Sequence, residues 1–278
     1  VVPWSDRKFG PDGPWQAVNI QVGGYTTNRI LGVQNVSLLS VYPGGVFFST
    51  TFTESVCKNF SISTCGTGGF WEPDLLQGNQ TRIKWPAVWI DDTFGIRVES
   101  AQTIVLGLTI NKTTVWNATL ASASTGNITF PDGRVGPVTL GSLALGADDA
   151  ALRFTLGPRQ DEEIVASLFS GQLFESKSIP SYSYGLHIGS AAFDYPGSLI
   201  FGGYNKGRVI GPIVSFSNYS AVDLLDISIG IASGSSPFNF TSKNRLLSTG
   251  KTKVSPEPLS PYISLPRQTC ENLANVLP

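Results

Sequence analysis

Acidic side chains are the residues with which this sequence could most readily carry out catalysis. The 278 residues include one histidine, His187, which excludes histidine-based metal sites and most histidine acid–base pairs. The sequence also lacks a Gly-X-Ser-X-Gly elbow, a Walker loop and the glycine fingerprint of dinucleotide-binding proteins. Two carboxylates that share one proton are the general mechanism that remains. No aspartate, however, begins an Asp-Thr-Gly or Asp-Ser-Gly turn.

The three cysteines favour disulfide chemistry over metal binding. Cys57 and Cys65 do not form a Cys-X-X-Cys pair and have no cysteine or histidine beside them, so we expect no metal and no cofactor. In an oxidising compartment their spacing suits a disulfide that closes a surface loop. Cys270 is then left over. It is either a buried free thiol or, in a secreted protein, the partner of a cysteine outside this chain.

Sequons and the absence of methionine indicate the compartment. A chain that starts at Val1 and contains no methionine predicts a mature fragment from which a leader was removed. Many Asn-X-Ser/Thr sequons favour a secreted, glycosylated protein of the secretory pathway, at the cell surface or in a vacuole. The eight acceptor positions are Asn35, Asn59, Asn79, Asn111, Asn117, Asn127, Asn218 and Asn239.

Composition narrows the partners and the fold class. Charged residues are 14% of the chain and the net charge is −1, so no basic surface for nucleic acid is predicted. No apolar run is long enough to span a membrane. The chain contains 30 glycines and 18 prolines, which is typical of short strands joined by tight turns.

The elements that must position any site are therefore mostly strands. Alternating or β-branched runs predict strands at 16–22, 103–110, 113–116, 198–201 and 227–231, and His187 lies in another such run at 184–188. Two stretches, 162–169 and 268–277, have helical periodicity, and the second begins just after Pro266. The predicted class is all-β with a few short helices.

The second half of the chain resembles the pepsin-like aspartic proteases, in particular the fungal members. Residues 197–203 read Gly-Ser-Leu-Ile-Phe-Gly-Gly, similar to a Gly-Ser-apolar-X-Phe-Gly-Gly segment of that family. Residues 261–266 read Pro-Tyr-Ile-Ser-Leu-Pro and precede Cys270, as in the segment after the second catalytic aspartate. The strand at 36–41, a Gly-Gly turn and the loop that bears Cys57 and Cys65 fit the family's first lobe. The resemblance implies a bilobal, all-β fold.

Both catalytic aspartates of the family are missing from the positions that the resemblance assigns. The first Asp-Thr-Gly-Ser turn falls on Tyr42-Pro43-Gly44-Gly45, so Tyr42 occupies the aspartate position. In the second turn, Glu257 occupies that position and is followed by Pro258 and Leu259. A shift of one or two residues restores no aspartate, because none lies between Asp12 and Asp74 or after Asp226.

These assignments, which the resemblance implies, predict that the protein is not an active aspartic protease. The family mechanism needs two carboxylates and a water between them, whereas a tyrosine is neutral at acidic pH and its ring fills the place of the water. Pro43 and Pro258 also lack the backbone N–H that such a loop would supply. The remaining candidates for a binding cleft are Tyr42, Gly44, Glu257 and Ser260.

The resemblance also divides the chain. It implies an N-terminal lobe over 1–185, followed over 186–278 by the strand between the lobes and the first part of a C-terminal lobe. A pepsin-like second lobe continues beyond the equivalent of Pro278 and supplies the cysteine that pairs with the equivalent of Cys270. We therefore expect the rest of the precursor to remain attached as a second chain, bonded to Cys270.

Three functions are compatible with these residues. The first is a secreted pseudoprotease that binds a protein or small molecule through the retained cleft or loops, as inhibitor-like relatives do. The second is an enzyme with non-proteolytic chemistry on a small molecule, using Tyr42 and Glu257. The third is a structural surface glycoprotein. The sequence names no ligand.

Overall fold

The structure is a computed structural model that divides into two compact units, Val1–Val209 and Ile210–Pro278. The lobes predicted as 1–185 and 186–278 are not the same as these two units, and the lobe boundary stays a prediction. The residues described are 1–9, 15–23, 37–44, 49–58, 60, 65–72, 82–85, 89–91, 96–130, 133–138, 140–146, 151–156, 162–190, 193–215, 221–231, 234–235, 251–255 and 263–276.

The first unit is built mainly from strands. Its strands are β1 (Val18–Val22), β2 (Ser37–Pro43), β3 (Ser49–Phe52), β4 (Arg82–Trp85), β5 (Trp89–Asp91), β6 (Ile96–Ile110), β7 (Thr113–Thr129), β8 (Val135–Pro137), β9 (Gly141–Leu143), β10 (Ala151–Leu156), β11 (Glu162–Ser167), β12 (Tyr184–His187) and β13 (Ser198–Phe201). Its helices are α1 (Phe169–Glu175) and the 3-10 turns Glu54–Cys57 and Lys206–Arg208. The expectation of an all-β chain with a few short helices is confirmed.

Eleven of these strands form one mixed sheet in which β10, β11, β7, β3, β9, β2, β1, β6 and β4 follow one another. Strand β5 pairs with β6, and β8 pairs with β7. Two parallel contacts matter for the site, because β2 lies beside β9 and β3 lies beside β7. Such pairings join distant parts of the chain and bring the end of β2 next to β9.

A single large hydrophobic cluster stabilises this unit. Strands β1, β2, β7, β9 and β13 and helix α1 contribute the side chains, and several of them are completely buried. Burial of each such aliphatic side chain contributes roughly 1.5–3 kcal/mol. The largest fully buried members include Val18, Ile20, Val22, Leu39, Val41, Leu120, Leu143, Leu145 and Leu199.

Strands β6 and β7 form a long antiparallel hairpin that ends in a two-residue turn. Asn111 and Lys112 have φ values of 44° and 68°, the left-handed conformation that a type I′ turn requires at both central positions. Asparagine tolerates this conformation better than most residues. The hydroxyls of Thr109 and Thr114 hydrogen-bond across the strands next to the turn, at 2.8 Å.

A second, two-stranded sheet joins β12 to β13, with Tyr184 opposite Phe201 and His187 opposite Ser198. The N-terminal segment attaches to it, because the Val2 N–H donates to the Leu199 carbonyl at 2.9 Å. The strand predicted at 198–201 is confirmed, as is the strand that contains His187.

The second unit has little regular structure among its described residues. Strands β14 (Val222–Leu224) and β15 (Thr252–Val254) pair antiparallel, and Lys253 and Asp223 form an ion pair at 2.6 Å. Helix α2 (Arg267–Val276) confirms the helix predicted after Pro266. In the described part of the chain, no helix is long and apolar enough to cross a membrane.

Two predicted elements are wrong. Residues 162–169 were expected to form a helix, but Glu162–Ser167 are strand β11, paired antiparallel with β10, and the helix begins only at Phe169. The pairing with a neighbouring strand outweighs local periodicity here, and the β-branched Ile164 and Val165 favour the extended form. Residues 227–231, expected to form a strand, have no regular structure. Their alternating pattern requires a partner strand, and none is present among the described residues.

Candidate functional site

Strand β2 carries Tyr42 and Pro43 to the edge of the predicted turn. Tyr42 lies opposite Ser142 and Pro43 opposite Leu143 of the parallel strand β9. Beyond the strand, the Gly44 N–H donates to the Leu143 carbonyl at 2.9 Å. Tyr42 is half-buried and packs on a small cluster formed by Phe9, Ala17 and Leu140, whereas Pro43 and Gly44 are buried. The end of β2 thus places a packed phenol beside β9, and the assignment of Tyr42 to a catalytic-aspartate position stays a prediction.

Neutral hydroxyl groups fasten β9 to β3 beside this turn. The hydroxyls of Thr50 and Ser142 are 2.9 Å apart, and the Ser142 N–H also donates to Thr50 Oγ1 at 2.9 Å. One residue earlier in β3, Ser49 Oγ accepts from the Ala144 N–H at 3.0 Å. All three side chains are buried. Buried polar groups require hydrogen-bond partners within the protein, and these contacts provide them.

The approach of β9 to β3 requires glycine at position 141. A Cβ on Gly141 would overlap the backbone carbonyl of Thr50. Because backbone cannot rotate away as a flexible side chain can, any larger residue would push the two strands apart. Gly141 therefore places Ser142 and Leu143 at the distance from which they hold Thr50 and Gly44.

Among the described residues at the end of β2, the groups that can contact a ligand are neutral hydrogen-bonding groups. The bonds that join Ser49, Thr50 and Ser142 to their surroundings involve neutral groups. A phenol and aliphatic hydroxyls can donate to and accept from a ligand, but they do not hold the shared proton of a carboxylate pair. Of the four predicted cleft residues, the structure describes Tyr42 and Gly44, while Glu257 and Ser260 lie outside the described residues.

Sequence reasoning did not identify the hydroxyl network. Thr50 and Ser142 are 92 residues apart, and neither lies in a recognisable motif. The one available signal was Gly141 in front of Ser142, since a glycine inside a strand often marks a close approach of two backbones.

His187 has a structural role. Its Nδ1 accepts from the Gly189 N–H at 3.1 Å and lies 2.8 Å from Nη1 of Arg208. Because the guanidinium has only donors, Nδ1 is the acceptor and the ring proton is on Nε2. Both contacts lie within the β12–β13 region, which agrees with the expectation that this histidine is a hydrogen-bonded structural residue.

The cysteines behave as two different kinds of residue. Cys57 and Cys65 form a disulfide with a Cα–Cα distance of 5.9 Å, as predicted. Their side chains pack against Phe52, Val56, Ala123 and Val138. Cys270, on α2, is free and exposed. The alternative of a buried thiol is therefore wrong, and the proposed partner outside the chain stays a prediction.

Three of the eight sequons lie on described residues, all in or next to the β6–β7 hairpin. Asn111 is exposed at the tip, Asn117 lies within β7, and Asn127 is half-buried where β7 pairs with both β6 and β8. The other five lie outside the described residues: Asn35, Asn59, Asn79, Asn218 and Asn239.

Charged groups form isolated surface contacts. Lys8 Nζ lies 2.8 Å from Oδ1 of Asp194, and this hydrogen bond, followed by the lysine charge, lowers the pKa of the Asp194 carboxyl. Among the described residues, no group of three or more histidine, cysteine or acidic side chains is arranged to hold a metal ion.

Comparison with known proteins finds similar chains among the solved structures. The solved structure of an aspartic proteinase from Irpex lacteus is similar to this chain, with a TM-score of 0.48 and 14% sequence identity. The similarity covers 94% of this chain, which spans 64% of the length of that proteinase. No protein-family model matches the sequence, and the search of curated proteins finds no match. The fold is mostly strand, and its structural neighbour is a fungal aspartic proteinase.

Proposed function

We propose that this protein is a secreted, non-proteolytic protein of the pepsin-like type that binds a ligand instead of cleaving peptides. The observation that carries the proposal is the turn at the end of β2. Tyr42 replaces the first carboxylate, and the neighbouring Pro43 and Gly44 are packed against β9. The described part of this segment, which ends at Gly44, is held against β9 and contains no acidic side chain.

A single carboxylate cannot form the pair that shares a proton, wherever the second acid lies. Two carboxylates that share a proton work because each shifts the pKa of the other and both hold one water. One carboxylate, even at Glu257, has no such partner if Tyr42 is the opposite residue. Its longer side chain would also misplace its oxygens by about 1 Å, an error that costs on the order of a hundredfold in rate.

A cleavage assay tests the loss of proteolysis. Denatured haemoglobin and a quenched peptide library are incubated with the purified protein between pH 2 and pH 7, with and without pepstatin, and an active fungal aspartic proteinase serves as the control. We expect no pepstatin-sensitive turnover by the wild-type chain. Turnover that Glu257→Gln abolishes would overturn the proposal.

Ligand binding requires a separate test, because an inactive protein could also be a structural glycoprotein. Native mass spectrometry of the protein purified from culture medium is expected to reveal a bound small molecule or a bound protein. Tyr42→Phe, which keeps the ring and removes the hydroxyl, should weaken a ligand held at the turn. If no bound species is detected, and Tyr42→Phe has no effect on activity or binding, the structural role would be favoured.

A second chain bonded to Cys270 is also part of the proposal. Two observations support it: the Cys270 thiol is exposed, and in the same unit the side chain of Ile263 is accessible over 83% of its surface. Intact mass measured with and without reductant tests this pairing. We expect a second polypeptide to be released by reduction, whereas an unmodified thiol on a lone 278-residue chain would contradict it.

Secretion and glycosylation are supported by the Cys57–Cys65 disulfide and by the exposure of Asn111 at a hairpin tip. Enzymatic removal of N-glycans in heavy-oxygen water marks each occupied asparagine for peptide mapping. We expect Asn111 to be marked in protein from culture medium, and an unmarked Asn111 together with a reduced Cys57 would contradict this localisation.

A further inference from the structure

The connection between β12 and β13 is a projecting hairpin that the rest of the first unit holds firmly. Ser190 and Tyr195 exchange two backbone hydrogen bonds, each 2.8 Å long. The side chain of Gln16 then clamps its base, because Nε2 donates to the Tyr195 carbonyl at 2.7 Å and Oε1 accepts from the Gly197 N–H at 2.8 Å. A ring of Trp4 packs so closely on Gly197 that no Cβ fits there. The hairpin is therefore pre-organised.

Large apolar side chains on this hairpin point into solvent. Phe193 is 72% exposed, Tyr195 59% and Ile188 43%. One exposed apolar residue is normal for a protein surface, whereas several close together in one hydrogen-bonded hairpin indicate a contact site. Burial of these side chains against a partner would be favourable, because it would remove their apolar surface from water.

Arg208 adds a cation that is held in place by neutral groups. Its Nη1 lies 2.8 Å from His187 Nδ1, and its guanidinium carbon lies 5.4 Å from the centre of the Tyr195 ring. Among the described residues, no carboxylate pairs with it. The nearest acid along the hairpin, Asp194, is taken by Lys8. The stacked guanidinium keeps further N–H groups available for a carboxylate.

We propose that Ile188, Phe193, Tyr195 and Arg208 form a docking surface for a protein that presents an Asp or Glu side chain among apolar residues. Charge decides the occupant, because Arg208 is a cation without a carboxylate partner among the described residues, and the one acid of the hairpin, Asp194, is already paired with Lys8. An immobilised arginine beside exposed aromatic rings has the composition of an interface hot spot. This surface goes beyond the proposed loss of proteolysis and does not depend on it.

A peptide selection tests the surface without knowledge of the natural partner. Random twelve-residue peptides displayed on phage are panned against the immobilised wild-type protein. The selected peptides are then synthesised with a fluorescent label and measured in solution by anisotropy. We expect them to share an Asp or Glu flanked by aromatic or aliphatic residues.

Substitutions on both sides of the contact give the decisive comparison. Arg208→Gln and Phe193→Ser should each weaken binding at least tenfold, and so should replacing the acid of the peptide by its amide, a change that cannot affect the folding of the protein. Lys206→Gln, which removes a cation two positions away, is the matched control and should change affinity less than threefold. Selected peptides that lack an acid, or that bind Arg208→Gln as tightly as wild type, would overturn the proposal, as would a failure to select any peptide dependent on Arg208.

Discussion

The two compact units solve the problem of burying apolar side chains very differently. In Val1–Val209, strands from distant parts of the chain enclose a continuous core in which nine large aliphatic side chains are completely buried. In Ile210–Pro278, no described hydrophobic side chain is buried, and the one buried residue is Thr269. The order seen among the described residues of the second unit comes from the β14–β15 pair and from exposed contacts such as the Arg267–Glu271 ion pair within α2.

This difference indicates which contacts supply the free energy of folding in this protein. Local hydrogen bonds and exposed ion pairs contribute a few tenths of a kcal/mol each, whereas burial of an aliphatic side chain contributes roughly 1.5–3 kcal/mol. Burial of apolar side chains therefore accounts for stability in the first unit, whereas the described residues of the second unit contribute little of it.

Truncation of a buried side chain should produce the largest contrast between the units. Leu199→Ala removes a completely buried side chain from the first core and should lower the free energy of unfolding by about 2–5 kcal/mol. Ile263→Ala in the exposed second unit should change it by less than about 0.5 kcal/mol. Urea unfolding followed by tryptophan fluorescence measures both. Similar losses for the two variants would mean that the second unit has a core of its own.

Removal of the disulfide should rank second. Replacing both Cys57 and Cys65 by serine frees a short loop in the unfolded chain and should cost about 2–3 kcal/mol. Cys270→Ser, in the second unit, is the matched control and should leave the stability of the single chain unchanged. A destabilising effect of Cys270→Ser would show that the thiol is part of a packed environment.

Addition of one methyl group should distinguish tight from open backbone. Gly141→Ala forces a Cβ against the Thr50 carbonyl and should cost about 1–3 kcal/mol. Gly230→Ala, where no atom lies within 4 Å of the new Cβ, should be neutral within about 0.5 kcal/mol. Thermal unfolding measures the pair. Equal shifts would contradict the close approach of β3 and β9.

The smallest effect is expected at the Lys8–Asp194 contact. Lys8 lowers the pKa of Asp194 in the folded state, so this contact stabilises the fold above the ordinary carboxyl pKa and the contribution is lost as pH falls through the lowered pKa. Lys8→Ala should raise the Asp194 pKa toward its ordinary value, which NMR titration of the carboxyl carbon would detect. Lys253→Ala, at an ion pair of the second unit, should leave the Asp194 pKa unchanged.

The sequence predicted the elements whose pattern is local. The runs that became β1, β13 and α2 were recognised because periodicity and the position of Pro266 encode them within a few residues. Glu162–Ser167 was missed because its helical spacing competes with pairing to β10, which no local pattern reveals. Residues 227–231 fail for the opposite reason, since an alternating pattern forms a strand only when a partner strand is present.

The candidate site also combines features that a local pattern predicts with contacts that only the folded chain brings together. The proposed substitution of Tyr42 for an acid depends on residue identity in a motif, and it stays a prediction. The packing of Tyr42 at the end of β2 is what the structure adds. The contacts that hold the turn could not be predicted, because they join Gly44 to Leu143 and Thr50 to Ser142 across long stretches of chain. The same holds for Arg208, whose neutral partners His187 and Tyr195 are brought together only by the β12–β13 hairpin.

The β6–β7 hairpin sets an order of folding. Its two-residue turn closes a very short loop, after which each further pair adds at little entropic cost, whereas the Thr50–Ser142 contact must close a loop of 92 residues. We expect the hairpin to form in the rate-limiting nucleus and the contact between β3 and β9 to form afterwards. Thr114→Ala should then slow refolding, while Ser142→Ala should chiefly accelerate unfolding in stopped-flow experiments. The turn that carries Tyr42 would therefore be assembled after the β6–β7 hairpin.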